Sequence, residues 1–343
     1  MRLETYGIAA APSDVRALFD RQIMPEGSWD WFEILAATTL SGHEQASVLA
    51  LVDTGGQPLA ALPVVLVDGR VIRGLTSPFT TVFCVPLGGA DNARDLGKLL
   101  AGRVGASLRL DALDVAPATG ALQEGLTAGG LVVLKFRHFA NWFEPVQDFV
   151  DYWNSRGSKL KATVKRKAAP LLREGRLHFN LTDLTADWRE GAAIYNAIYA
   201  KSWKPAEPHP GFIDALLEKL GPRGIARLAI ARIDGVPAAA QIWLVQDRRA
   251  TIFKLAHDPA FDRQSPGTLL THWVLGRLHD QDGVTDIDFG RGDDAYKRLW
   301  LSRTRDRVGL LAANPKSLKG MATIIFDILP SRFATLLRSV PQT

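Results

Sequence analysis

Between residues 228 and 257 apolar runs alternate with short polar breaks. Leu228–Ile233 (LAIARI), Ala238–Val245 (AAAQIWLV) and Thr251–His257 (TIFKLAH) have the length and side-chain content of strands. Asp234-Gly235 separates the first two as a hairpin turn, and the polar stretch Gln246–Arg249 separates the second and third. A loop, DPAFDRQSPG, follows. In Thr268–His279 the period changes: Leu269, Leu270, Trp273, Val274 and Leu278 fall on one helical face. Asp286–Phe289 (DIDF) then predicts a short strand, Asp293–Trp300 a helical turn or two, and Arg307–Ala312 (RVGLLA) a last strand.

The first half runs to the same plan. Val48–Val52, Leu59–Val67 and Val71–Leu75 predict three strands with turns at Thr54–Gln57 and Asp68-Gly69. Asn92–Val104 reads as a helix, Ser107–Leu113 as a strand, Pro117–Thr127 as a helix and Leu131–Phe136 as a strand. LALVDTGGQPLAALPVVLVDG and LAIARIDGVPAAAQIWLVQDR match along their length. Two mixed α/β units of one plan are therefore expected, at 1–150 and 181–315, with 151–180 between them and a tail at 316–343.

Charge changes the picture at one place. The chain of 343 residues has a net charge of only +5, yet RGSKLKATVKRKAAPLLREGR between Arg156 and Arg176 holds eight basic residues against Glu174. Leu160, Val164, Leu171 and Leu172 give this segment a partial helical stripe that Pro170 interrupts. Two readings stand: a helix that binds an anion, and a solvated helix face joining two units. No aromatic residues interleave the charges, as a single-stranded nucleic-acid surface would require.

Composition narrows the rest. With 47% hydrophobic and 22% charged residues the chain is of globular type. Cys84 is the single cysteine, which excludes an intramolecular disulfide and a cysteine-based zinc site. The seven histidines form no close metal-ligand pair, and no metal is expected. No P-loop, dinucleotide fingerprint, H-E-x-x-H or G-x-S-x-G motif occurs. No apolar run reaches the roughly 18 residues of a membrane span, and the start lacks the pattern of a signal peptide, so the expected address is the cytoplasm.

What remains is Gln264-Ser265-Pro266-Gly267-Thr268 between a strand and a helix. Ser265 suits an N-cap, Pro266 the first helical position, and Gly267 lets a ligand approach the backbone. The free N–H groups of such a helix start hold a diphosphate. Gln264-x-x-Gly267 resembles the pyrophosphate loop of the GNAT acetyltransferases, Q/R-x-x-G-x-G/A, with Leu269 in place of the last small residue. The element order is similar too. DIDFGRGDDAYKRLW at Asp286–Trp300 resembles the signature of the cellulose-biosynthesis-associated (CelD-like) branch, double-GNAT proteins related in fold to the FemAB aminoacyl transferases. Ser202-Trp203-Lys204 and LKATVKRKAAPLLREGRLHF fit the same branch, although Lys201 stands where the branch carries an acid.

The resemblance implies tandem GNAT-like units, each a mostly antiparallel mixed sheet flanked by helices. It implies acetyl-CoA as donor, bound by Gln264, Ser265, Gly267 and Thr268, and direct transfer of the acetyl group to an amine. Tyr296 is the expected general acid. Asp288, with Asp286 on the same strand face, is a base or an orienting group, or an ion pair to Arg291 or Lys297. Lys297 binds an anionic group, and His257 is the alternative base. Trp203, Lys204, Phe253 and Arg291 are the candidate acceptor residues. The first unit has Pro86-Leu87-Gly88-Gly89 instead of a donor loop and reads as a degenerate copy.

The acceptor implied is an amino sugar of a cell-surface polysaccharide, free or lipid-linked, with no DNA partner. Two alternatives stay open: a FemAB-like enzyme using aminoacyl-tRNA, and a non-catalytic scaffold of polysaccharide synthesis. In the tail, Leu318, Met321, Ile325 and Ile328, then Phe333, Leu336, Leu337 and Val340 with Arg332 and Arg338, repeat at helical spacing. They suggest either docking on the protein itself or peripheral contact with the inner face of a membrane.

Overall fold

The structure is a computed structural model, and residues 1–182, 184–185 and 187–331 are described. In chain order the elements are β1 (Arg2–Gly7), α1 (Ser13–Ala17), α2 (Trp29–Thr38), β2 (Gln45–Val52), β3 (Pro58–Val67), β4 (Arg70–Gly74), α3 (Gly89–Ala101), β5 (Val104–Asp114), α4 (Pro117–Ala128) and β6 (Val132–Pro145). They continue with α5 (Phe149–Ser155), α6 (Ser158–Arg173), β7 (Leu177–Thr182), α7 (Trp188–Lys201), α8 (Phe212–Leu220), β8 (Ala226–Ile233), β9 (Val236–Gln246) and β10 (Arg249–His257). The last are α9 (Pro266–Asp282), β11 (Asp286–Arg291), α10 (Ala295–Trp300), β12 (Arg303–Ala313) and α11 (Leu318–Thr323).

The chain divides into two units, Met1–Phe139 with Asp306–Thr343, and Ala140–Arg305. In the first, strands lie in the order β1-β2-β3-β4-β5-β12. The β4/β5 pair is parallel, and the β1/β2, β2/β3, β3/β4 and β5/β12 pairs are antiparallel. In the second the order is β6-β11-β10-β9-β8-β7. There β10/β11 is parallel and the remaining neighbours are antiparallel. The two units thus share one plan, a mostly antiparallel mixed α/β sheet with one parallel pair, as the repeated pattern predicts.

The meander turns are where the sequence puts them. Asp68-Gly69 and Asp234-Gly235 both have positive φ, 49° and 71° in the first and 51° and 78° in the second. Two left-handed residues in succession match the twist of a hairpin, and aspartate followed by glycine tolerates them.

The core of the second unit contains Trp243, Phe289 and Trp300 with the apolar face of α9. The basic segment is α6 of this unit. Leu160, Val164 and Leu171 are buried in that core, while Lys159, Lys165, Arg166 and Arg173 are exposed. Pro170 does not end the helix, which runs on to Arg173. Proline removes one N–H and crowds the preceding turn, but here the burial of Leu171 holds the last turn in place.

Among the described residues no helix is long and apolar enough to cross a membrane, and no group of three His, Cys, Asp or Glu could hold a metal ion. Of the tail, Ile328 is buried, whereas Leu318 and Phe326 are 92% and 74% exposed. Arg332, Phe333, Leu336, Leu337, Arg338 and Val340 lie outside the described residues.

Candidate active site

The site begins where two parallel strands part. β10 and β11 pair from Arg249–Thr251 against Asp286–Asp288, after which β10 runs on to His257 with no strand partner on that side among the described residues. Each strand carries an irregularity just there: the β10 register shifts between Ile252 and Lys254, and the β11 register shifts between Asp288 and Arg291. Phe253 is the residue at the β10 irregularity.

Asp288 holds the bend in β11. It is 2% exposed, and its Oδ1 accepts from Gly290 N at 2.6 Å and from Asn141 Nδ2 at 2.7 Å. Its Oδ2 accepts from Arg305 Nη2, and Arg305 Nε also donates to Asn141 Oδ1 at 2.6 Å. Gly290, at φ 61°, provides the left-handed turn that the bend needs. The expected partners Arg291 and Lys297 are thus replaced by Arg305 and Asn141, and Asp286 pairs with Arg249 at 2.9 Å. Both Asp288 oxygens are thus engaged within the protein, and the carboxylate braces the bend of the strand. Neither Asn141 nor Arg305 is near Asp288 in sequence, which is why the pattern pointed to the wrong cations.

Beyond β10 the chain makes a tight turn, Pro259–Gln264, and enters α9 through Ser265. Ser265 is the N-cap position and Pro266 begins the helix, as expected. Ser265 sits at φ 55° in the left-handed region and its hydroxyl caps nothing. A β-carbon added at Gly267 would meet only His257 Nδ1, at 3.8 Å, so the space in front of this residue is open. The Oε1 of Gln264 is buried with no hydrogen-bond partner among the described residues. His257 is held by Asp262 Oδ1 at 2.7 Å and lies against the exposed Trp203 ring, 4.5 Å between centroids.

Below the loop runs a polar chain that the sequence reading missed. Gln241 Nε2 donates to Gly267 O at 3.1 Å and to Thr271 Oγ1 at 2.7 Å, while its Oε1 accepts from Trp243 Nε1 at 3.0 Å. Thr271 Oγ1 also lies 2.7 Å from the Tyr296 hydroxyl. Tyr296 therefore points under the first turn of α9, among Phe289 and Trp300. Burial pushes its phenol up to about 12. The available signal was a glutamine and a threonine inside otherwise apolar stretches, AAAQIWLV and LLTHWVL.

Lysines surround the opening. Lys204 Nζ donates to Leu255 O at 2.6 Å. Lys254 pairs with both oxygens of Glu207, at 2.7 and 2.8 Å. Lys297 Nζ donates to Arg291 O at 2.5 Å, with Gly292 O at 3.4 Å. Burial lowers the pKa of all three, and Lys204 reaches about 8. The Arg291 side chain is exposed. From α6, Lys167 Nζ donates to Arg263 O at 2.5 Å, so the basic helix touches the residue before Gln264. Gln264–Thr268, His257, Trp203, Lys204 and Lys297 are thus gathered at one end of β10. Tyr296 and Asp288 lie beneath them. A separate groove of about 360 Å³ along α7, lined by Glu190, Ile194, Ile198, Lys201, Val236 and Pro237 among others, includes none of them.

Residues 158–298 match the acetyltransferase (GNAT) domain family. No curated protein sequence matches the chain. Among solved structures, FemX superposes with a TM-score of 0.63 at 10% identity, covering 95% of this chain and 100% of that one. A conserved protein of unknown function from Bacteroides thetaiotaomicron gives 0.57 at 10% identity, covering 91% and 99%. The C-terminal domain of an Agrobacterium fabrum protein assigned as a lysylphosphatidylglycerol synthetase gives 0.54 at 14% identity, covering 91% and 95%. At these identities the likeness is one of fold. The family match spans the parted strands, the loop and the helix that follows it, so residues 158–298 are similar to an acetyltransferase (GNAT) domain.

Proposed function

We propose that the second unit transfers an acetyl group from acetyl-CoA directly to an amine, on an amino sugar of a cell-surface polysaccharide. The observation that carries the donor is the open backbone at Gly267, on the first turn of α9, at the end of a strand that has lost its neighbour. N–H groups at a helix start favour a diphosphate, and the gap along β10 is the path for the arm that bears the thioester. The amine attacks in its neutral form, and the sulfur leaves with a proton. Tyr296 stays protonated throughout the physiological range, which is the state a proton donor needs. His257, paired with Asp262, is the candidate base beside the loop. Trp203 offers an exposed ring on which a sugar face can stack. The polysaccharide link rests on the resemblance of Asp286–Trp300 to the CelD-like branch.

A calorimetric titration of acetyl-CoA into the purified protein tests the donor. One molecule should bind per chain, and Gly267→Asp should abolish binding while the protein stays folded. Space at Gly267 admits the new side chain, so lost binding would report the carboxylate's repulsion of the diphosphate. Unchanged affinity in the variant would remove the reading.

One observation favours a second reading, transfer from aminoacyl-tRNA. The contact of Lys167 with Arg263 sets a basic helix beside the donor loop. A polyanionic donor would use that face, and its binding would fall steeply with salt, with a log–log slope of roughly −0.7 to −0.9 per phosphate contact.

A further inference from the structure

The three lysines at the opening differ in how they are held. Lys254 is clamped by a carboxylate. Lys297 has two carbonyls, and Asp294 lies at 3.9 Å. Lys204 makes one hydrogen bond, to the Leu255 carbonyl, and no ion pair among the described residues. It is the least restrained amine of the three.

The direction of that carbonyl follows from the β9/β10 ladder. In an antiparallel pair the backbone groups of alternate residues face the partner strand. Asp258 N donates to Ala238 O on β9, so Ala256, of the same parity, faces β9 too. Leu255 faces the other way, to the side from which β11 has departed. The Lys204 amine therefore lies in the gap itself, on the edge of β10 along which a donor arm would run.

We propose that Lys204 is a self-acylation site, its amine taking the acetyl group from a donor bound in the gap. This rests on the reading of the donor as acetyl-CoA. The Nζ–carbonyl bond forms, the carbonyl–sulfur bond breaks, and coenzyme A leaves as the thiol with the proton the amine sheds. No further reactant is needed. Attack requires a neutral amine, and burial together with the charge of Lys254 brings the Lys204 pKa down to about 8. The product amide carries no charge, so it removes a part-buried ammonium held by one carbonyl and the Trp203 ring, 5.7 Å from its centroid. It also leaves an acetyl group standing in the gap. The acylated chain is then a blocked form of the enzyme.

The test is to incubate the intact protein with acetyl-CoA at about pH 6.5 and about pH 8.5 and weigh its proteolytic peptides. The peptide carrying Lys204 should gain one acetyl group, roughly tenfold or more faster at the higher pH, because the neutral fraction rises across a pKa of about 8. The exposed Lys165 is the internal reference and should be labelled at least about tenfold more slowly. Lys204→Arg should lose the label, and so should Gly267→Asp, in which Lys204 is intact and the donor excluded. Equal labelling of Lys165 and Lys204 overturns the proposal, since it would be chemistry in solution. Calorimetric binding of acetyl-CoA with Lys204 unmodified overturns it and leaves the donor reading standing. Absence of acetyl-CoA binding removes both.

Discussion

Gln241 fixes the start of α9 from inside the sheet. It is 1% exposed, and its amide oxygen and nitrogen both serve neighbours. Gln241→Leu keeps the volume but strips its partner from the Trp243 N–H, while the Thr271 hydroxyl and the Gly267 carbonyl keep only their bond to each other and that of Thr271 to Tyr296. A buried polar group left without a partner costs about 1–3 kcal/mol. The variant should lose about that much stability in urea unfolding, and bind acetyl-CoA more weakly, because the first turn of α9 is no longer tied down. Lys204 works in the opposite direction. Its pKa is about 8 in the folded chain against an ordinary 10.5, so between these values the unfolded chain holds more protons and stability climbs with pH. Below that window the native state carries a poorly solvated charge. Lys204→Met should therefore be more stable than the parent at neutral pH, with the difference shrinking as pH rises through the window. A difference that does not change with pH would refute this account.

At the scale of elements, α6 has the most direct consequence. Its basic residues allowed an anion-binding face, and Lys167 donates to Arg263 O, next to the candidate loop at Gln264. Changing Lys161, Lys165, Arg166 and Lys167 to Gln should weaken acetyl-CoA binding several-fold, with most of the loss vanishing at high salt, where charges are screened. Tight, salt-sensitive binding of charged tRNA that disappears in this variant would replace the acetyl-CoA reading. The end of the chain is a second case. Leu318, Met321, Ile325, Phe326 and Leu329 are exposed, with Lys316 and Lys319 beside them. Vesicles of anionic lipid should carry the protein in flotation, and Leu318→Ser with Phe326→Ser should release it. Equal binding to neutral vesicles would leave the lysines without a role.

Hairpins and the loop that enters α9 were legible because their signals are local: Asp-Gly at a turn, proline after a cap, a change of period. The helices α7 and α8 escaped the reading, as did the edge strands β1 and β7. An edge strand such as β1, half-exposed along much of its length, carries no clean alternation. The Asp288 cluster was illegible for a different reason. Its acceptor and donors are brought together by folding across 147 residues, from Asn141 to Asp288, and nothing near either residue announces the other.

For the whole molecule the telling feature is that the first unit is built from two stretches of chain, Met1–Phe139 and Asp306 onward, while the second begins within β6. Residues 140–145 of β6 pair with β11 in the second unit, and residues 307–313 of β12 pair with β5 in the first. A fragment ending near residue 150 therefore leaves β5 with an open edge, and one starting near residue 151 does the same to β11. Expressed alone, either piece should aggregate through its bare edge, and mixing the two should restore soluble protein if the missing strands are all that is lacking. The same connectivity sets an order of events on the ribosome. The first 139 residues leave the exit tunnel long before the strand that seals them has been made. The nascent first unit must wait, one edge unsealed, until residues 307–313 have been synthesised, and an early stop codon in the second unit would leave that edge bare.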